Sequence, residues 1–204
     1  KAKLSTMNKS FKALWATTPN SDANLYSEVH CEVRETQIDE LSAGDVIVKA
    51  EYSGINYKDA LALTGKGKIL RQLPLIPGID MAGTVTESLS DKFNVGDPVL
   101  VNGANIGEKL CGGYSQYLRL PHHALIRRPK NLTAKEAMIF GTAGFTAALA
   151  IHQMELNGLR PEKGEVLVTG ATGGVGSLAL SFLNQMGYET EAWTRRPEHN
   201  EWLH

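Results

Sequence analysis

Hydrophobic and polar positions change their rhythm twice along these 204 residues. Up to Pro129 the apolar residues come in short runs broken by turn signals. Strands are predicted over 11–16, 28–35 and 46–52, separated by Thr-Thr-Pro-Asn and Ser-Ala-Gly-Asp. Val46, Val48 and Ala50 alternate with Ile47, Lys49 and Glu51, the pattern of a half-buried strand. A short helix is expected over 58–63, and the polar residues cluster at the junction before it. Further strands follow Pro77-Gly78, the turn Asn94-Val-Gly-Asp and Gly112-Gly113.

Beyond Pro129 the period lengthens. Thr133 with Glu136 three positions on is a capping box that opens a helix, and Phe145, Leu149 and His152 extend a second helical stretch. Gly141 and Gly144 interrupt this apolar stretch around Thr142. Two readings fit them: a backbone kept bare for a ligand, which makes Thr142 a candidate contact, or a tight helix-helix crossing. Val166, Leu167 and Val168 then form an unbroken apolar run, as in a parallel strand buried on both faces. The glycine cluster Gly170-Ala-Thr-Gly-Gly-Val-Gly176 follows without a spacer. Val175, Leu178, Ala179, Phe182, Leu183 and Met186 form one helical stripe, Gly187 stands where a left-handed cap belongs, and a second strand is predicted over 189–194.

Strand, glycine turn, helix, strand is an order with chemical meaning. The turn collects backbone N–H groups and the helix's positive end at one point, and the missing side chains let a pyrophosphate approach. A dinucleotide is therefore the expected ligand, held by Thr172, Gly173, Gly174, Val175 and Gly176. The strict fingerprint has glycine at its first, third and sixth positions; here these are Ala171, Gly173 and Gly176, with Gly170 one residue early. The competing reading is a turn that is glycine-rich only for tight strand-helix packing. No Gly-Lys-Ser or Gly-Lys-Thr follows, so the pattern is not a P-loop.

Composition narrows the classes. With 42% hydrophobic and 21% charged residues and a formal net charge of −1, there is no basic footprint for nucleic acid and no acidic tail. Cys31 and Cys111 stand far apart without a Cys-x-x-Cys, which encodes neither a disulfide framework nor a zinc ribbon. The expectations are a reducing cytoplasm, no membrane segment and no secretion signal. Met7 reads as a native start, with residues 1–6 an extension. Lys66, Lys68 and Arg71 are either a solvated loop or a greeting for an anionic substrate.

Taken together, Gly54-Ile-Asn-Tyr-Lys-Asp, Pro77-Gly-Ile-Asp-Met-Ala-Gly, Gly96-Asp-Pro-Val, Gly141-Thr-Ala-Gly-Phe-Thr-Ala and Ala171-Thr-Gly-Gly-Val-Gly resemble the medium-chain dehydrogenases/reductases. The resemblance covers the chain nearly end to end. It implies an α/β architecture: a GroES-like β domain over 1–139 carrying substrate and catalysis, then a Rossmann, doubly wound dinucleotide-binding domain over 140–204. Within the family the chain looks most like the zinc-free quinone oxidoreductase branch that includes the bacterial NADPH-dependent acrylyl-CoA reductases. A doubly wound domain takes two βαβαβ halves, and only one strand, one helix and a second strand are present, so the Rossmann part is expected to be incomplete.

Zinc alcohol dehydrogenases of the family carry cysteine where Asn56 stands and a His-Glu pair where Ile79-Asp80 stands. Isoleucine cannot bind zinc and an amide is a poor substitute for a thiolate, so no metal is expected. The six histidines show no paired spacing beside a carboxylate or thiol and are assigned surface or packing roles. Without a Lewis acid the acceptor has to be activated by conjugation: an enone, an enoyl thioester or a quinone. Tyr57 and Asn56 are the candidates for gripping cofactor or substrate, and the resemblance favours Tyr57 as a cofactor contact. As a proton donor its phenol needs help, for which Lys58 is the adjacent cation. Asp80 and Asp59 read as hydrogen-bond anchors.

NADPH is the expected cofactor. Enzymes that prefer NAD place Asp or Glu at the end of the second strand, whereas this chain reads Thr194-Arg195-Arg196, suited to a 2′-phosphate. The alternative is two arginines on an exposed loop. The expected activity is hydride transfer to a small conjugated acceptor, by a protein homodimeric in its full-length form. The competing class is a non-catalytic relative that keeps the cofactor fold as a binding protein.

Overall fold

The computed structural model describes residues 10–19, 28–195 and 198. Expectations for Met7, Arg196, His199 and His204 lie outside the described residues. The chain divides into two compact units between Thr142 and Ala143.

In the first unit, β1 (Phe11–Thr17) pairs antiparallel with β2 (His30–Thr36). A five-stranded antiparallel sheet has the order β6-β3-β4-β5-β7, with β3 at Val46–Tyr52, β4 at Asp80–Ser88, β5 at Pro98–Asn102, β6 at Tyr117–Leu120 and β7 at Ile126–Arg127. The expected alternation in β3 fails at Ile47, which is 1% exposed. Both faces of the strand's first half are covered. Val46 and Val48 pack with Met81, Val85, Val99 and Leu118, while Ile47 packs with Phe11, Trp15, Leu75 and Ile76. Alternation marks a strand with one wet face, and the first half of β3 has two dry ones.

The helix expected over 58–63 is α1 (Tyr57–Thr64), opened by Asn56 and Asp59 as a capping box and closed by Gly65 in the left-handed conformation. The Thr133–Glu136 box opens α2 (Ala134–Leu156). By length and composition alone, its 23 residues are long and apolar enough to cross a membrane. It is not one straight rod, however. Gly141 (φ 50°, ψ −152°) breaks it, and the segment 142–156 spans only about 22 Å against a hydrocarbon thickness of ~30 Å.

In the second unit, β8 (Val166–Thr169) runs parallel to β9 (Thr190–Trp193), with α3 (Gly174–Gln185) between them in sequence. Val166, Leu183 and Tyr188 form a small core with Ile151 of α2. The expected two-sided burial of β8 is not seen, since Leu167 is 48% exposed. The helical stripe is likewise only partly covered: Leu183 is buried, Val175 and Met186 are exposed. Among the described residues this sheet has two strands, and two strands with one helix shield one face.

Candidate active site

Two polar constellations stand out, one in each unit. In the first, α1 begins where β3 ends, and β4 begins beside that junction. Asp80 and Asp59 are both fully buried. The Asp80 carboxylate accepts from the Gly54 N–H at 2.8 Å, the Asn56 amide at 3.0 Å, the Thr142 N–H at 3.1 Å and the Thr142 hydroxyl at 3.2 Å. Asp59 accepts from the Asn56 N–H at 2.9 Å, the Asn56 amide at 3.2 Å and the Ile79 N–H at 3.1 Å. The Asn56 Nδ2 thus donates to both carboxylates and holds two buried acids side by side. Unpaired, either acid would be costly to bury; the seven hydrogen bonds they accept make the site tolerable.

Burial pushes the Asp59 carboxyl above the ordinary aspartate range, against the lowering bonds from Asn56 and Ile79, and the neighbouring Asp80 pushes the same way. Burial, followed by the Asp59 and Asp80 charges, pushes up the Tyr114 phenol. Both aspartates serve as anchors, as their positions in the chain suggested. Tyr114 was not singled out from sequence. Its signal was weak, since its phenol meets Asp59 across 55 residues of chain, on a backbone placed by Tyr114 N–H to Pro77 O and Gly113 N–H to Gly78 O.

The candidate site residues of this unit fall around that cluster. Tyr57, 81% exposed, stands on the first turn of α1. Asn56 is the N-cap beneath it, its amide directed at the two acids. Lys58 does not serve Tyr57, because its ammonium pairs with Glu108 Oε1 at 2.5 Å. Thr142 is held by Asp80 through two bonds. The bareness of Gly141 serves the same carboxylate: a Cβ there would lie 3.0 Å from Asp80 Oδ2. Within this unit neither a ligand nor a helix crossing is needed to account for it.

Among the described residues no group of three or more His, Cys, Asp or Glu could hold a metal ion. In the fold His122 meets a carboxylate distant in sequence, its Nδ1 lying 2.6 Å from Asp45 Oδ2 while its backbone N–H donates to Asp45 Oδ1 at 2.7 Å.

The second constellation lies at the C-terminal ends of β8 and β9. Gly170 takes φ 63°, and α3 starts at Gly174 with Gly173 as N-cap and no side-chain cap bond. By helix geometry the N–H groups of Gly174, Val175 and Gly176 have no carbonyl within the helix to meet. A Cβ at Gly176 would lie 2.4 Å from Gly170 O, so only glycine lets the turn close on the helix. Thr172 and Thr194 meet through their hydroxyls at 3.2 Å, linking the turn to the end of β9. Beside them an open cavity of about 430 Å³ is lined by Thr169, Gly170, Ala192, Trp193, Thr194 and Arg195. Gly170 and Arg195 at this cavity, with the bare-backbone start of α3 three residues further along the turn, fit a phosphorylated dinucleotide.

Residues 42–130 match the alcohol dehydrogenase GroES-like domain. The chain belongs to the medium-chain dehydrogenase/reductase superfamily, in its zinc-free branch. It is 46% identical, over 97% of its length and 58% of the relative's, to the putative quinone oxidoreductase YhfP of Bacillus subtilis (strain 168). The crystal structure of B. subtilis yhfP with NAD bound is similar with a TM-score of 0.89, at 47% identity, over 96% of this chain and 57% of that one. The probable acrylyl-CoA reductase AcuI of Escherichia coli (strain K12) is 48% identical over 80% of this chain and 50% of its own. The yhdH oxidoreductase of Salmonella enterica in complex with NADP has a TM-score of 0.89 and 43% identity, over 94% of this chain and 57% of that one. The chain spans about half the length of the curated relatives it matches.

Proposed function

We propose that the protein, in its full-length form, is an NADPH-dependent, zinc-independent reductase of an activated double bond, an enoyl thioester such as acrylyl-CoA or an enone, or of a quinone. The observation that carries this reading is the cavity at the ends of β8 and β9, where the glycine cradle, Thr194 and Arg195 meet. Thr172 and the backbone from Gly173 to Gly176 hold the pyrophosphate. Thr194 and Arg195, with Arg196 beside them in sequence, receive the 2′-phosphate. The relative crystallised with NAD is consistent with the shared pyrophosphate cradle, and the arginine pair is the reason for assigning NADPH here.

The chemistry that NADPH supplies is a hydride for an electron-poor carbon. The chain's own residues bind, orient and exclude water. Tyr57 is the assigned contact for cofactor and acceptor, and Asn56 fixes the start of α1 beneath it from the two buried carboxylates. With Asn56, Ile79 and Asp80 at the family's ligand positions, no thiolate or imidazole is available for zinc, so polarisation of the acceptor must come from its own conjugation. The relatives named as reductases favour catalysis over a binding role. The residues up to 139 form the substrate and catalytic domain and those from 140 the cofactor domain. The reading extends to a homodimer and a cytoplasmic location, which analytical ultracentrifugation and cell fractionation test.

The deciding experiment follows NADPH absorbance with acrylyl-CoA, an enal and a quinone in parallel, before and after chelator treatment. Turnover of at least one acceptor, insensitive to chelator, is expected. A protein that binds NADPH and turns over none of them is a binding module, and the proposal is then wrong.

A further inference from the structure

The turn that follows β5 holds three successive residues in the left-handed conformation: Gly103 (φ 69°), Ala104 (φ 48°) and Asn105 (φ 65°). Glycine adopts it freely and asparagine is tolerated there, but alanine meets the clash of its Cβ with the carbonyl that follows. At the root of the turn the Nδ2 of Asn102 is buried with no hydrogen-bond partner among the described residues. Two such local costs in one short segment point to a functional constraint on it.

The turn is nonetheless fixed, beside the first turn of α1. The Gly103 N–H donates to Ile79 O at 2.8 Å, and the Ile79 N–H in turn donates to Asp59 of α1 at 3.1 Å. Glu108 pairs with Lys58, the residue after Tyr57. A Cβ at Gly107 would lie 2.8 Å from the backbone of Gly78, so the turn also packs closely on the segment that leads into β4. Ile106 is fully buried, while Ala104 and Asn105 stand at the exposed tip. There the Asn105 carbonyl accepts from the N–H groups of Glu108, Lys109 and Leu110, at 3.3, 2.9 and 3.0 Å. Its side-chain amide has no partner among the described residues. The backbone of Asn105 is thus held by three bonds and its side-chain donor is unspent, near the end of α1 where Ile55 and Tyr57 leave apolar area in solvent.

We infer that Asn105 is a further catalytic residue, whose side-chain N–H donates to the carbonyl oxygen of the conjugated acceptor. The inference rests on the reductase reading above and deepens it, by naming the group that meets the acceptor's oxygen. As hydride from NADPH adds to the β-carbon of an enone, the electron pair of the C=C bond moves through the conjugated system onto that oxygen. A proton from solvent then joins the α-carbon as the C=O bond re-forms. Between these two events negative charge gathers at the oxygen. A donor on a rigid stem needs no reorganisation to meet it. Asn105 gives up no proton, and its neutral amide adds to the polarisation supplied by conjugation without replacing it. The left-handed backbone at Ala104 then serves to aim the next residue's amide at the acceptor.

The test uses the full-length protein with cyclohexenone and a naphthoquinone, and the variants Asn105→Gly, Asn105→Asp and Ala104→Gly. Glycine suits the φ of 65° and removes the amide; aspartate keeps the left-handed tolerance and removes the N–H. Both should lose about ten- to a hundredfold in kcat/KM, chiefly in kcat, the range for a hydrogen bond to a charged group. Asn105→Gly should melt no lower than the wild type, and its NADPH affinity, read by fluorescence titration, should be unchanged. Ala104→Gly, relieved of the clash, should also melt no lower and should keep the wild-type kcat/KM. A readout that needs no turnover is the infrared band of carbonyl-labelled cyclohexenone in the complex with NADP+: the C=O stretch should lie lower in the wild type than in Asn105→Gly. Unchanged kcat/KM or an unchanged stretch in Asn105→Gly overturns the inference and leaves the reductase reading standing. Equal losses in Ala104→Gly and Asn105→Gly show that the conformation of the turn and not the amide is at work, and overturn it too. A wild type that reduces neither the enone nor the quinone, nor the enal and acrylyl-CoA, overturns the reductase reading and the inference with it.

Discussion

Thr142 is held by Asp80: its N–H and its hydroxyl both donate to the same carboxylate oxygen, at 3.1 and 3.2 Å. That oxygen also receives the Asn56 amide. One buried carboxylate therefore fixes both the start of α1 and the break in α2, and its removal should be felt at each. Asp80→Ala leaves four donors without an acceptor, and at roughly 1–3 kcal/mol for an unsatisfied buried group the variant should lose about 3 kcal/mol or more of stability. Asp80→Asn keeps one carbonyl and should lose less. Urea denaturation measures both, and an Asp80→Ala variant within 1 kcal/mol of the wild type would contradict this account of the site.

The glycine cradle gives a second expectation. Gly176→Ala puts a methyl group 2.4 Å from Gly170 O and 2.9 Å from Ala171 Cα, both backbone atoms that cannot rotate aside. The turn must shift, which should cost about 1–3 kcal/mol of stability and most of the NADPH affinity. Gly173→Ala, whose Cβ would meet only Gly170 O at 3.2 Å, should be milder. Titration calorimetry with NADPH ranks the two variants.

Arg195 lines the cavity at the end of β9. A hydrogen bond from a guanidinium to a phosphate is worth roughly 1.5–3 kcal/mol, so Arg195→Ala should weaken NADPH about ten- to a hundredfold and leave NADH nearly untouched. The same comparison applies to Arg196→Ala. Fluorescence titration with both cofactors decides it: unchanged NADPH affinity in both variants would mean that these arginines only decorate a loop.

The Asp45–His122 pair should be visible in acid. Burial raises the Asp45 carboxyl, but the hydrogen bonds and charge from His122 outweigh it and hold the group below the ordinary value of 3.8. A lowered folded-state value means stability that is present above the ordinary value and lost as pH falls through the folded one. The wild type should therefore exceed Asp45→Asn in melting temperature near pH 5, with the margin closing as the pH falls below about 4. A margin that stays constant into acid would show the contact to be electrostatically silent.

Much of this protein was legible along the chain because the signals are local. The capping box at Thr133 and Glu136, the glycine turn between β8 and α3, and the left-handed glycine at 187 (φ 82°) each depend on residues a few positions apart. The same holds for Thr194 and Arg195, whose spacing from the glycines already placed them at the end of the second strand. Other features depend on which distant segments meet. Asp80 and Thr142 lie 62 residues apart, and Asp45 and His122 lie 77 apart. No periodicity or motif encodes such a pairing; the second follows from β3 lying beside β6 in the sheet, the first from where α2 packs on the start of β4. Burial divides in the same way. The sequence marked Ile47 as an outward residue and Leu167 as an inward one, and each is the reverse because a side chain's surroundings are set by what packs on the strand, not by the strand's own alternation. The residue types that define the chemistry were thus fixed by sequence alone, while the bonds that hold Asn56, Thr142 and the two buried aspartates in one cluster were decided only by tertiary packing.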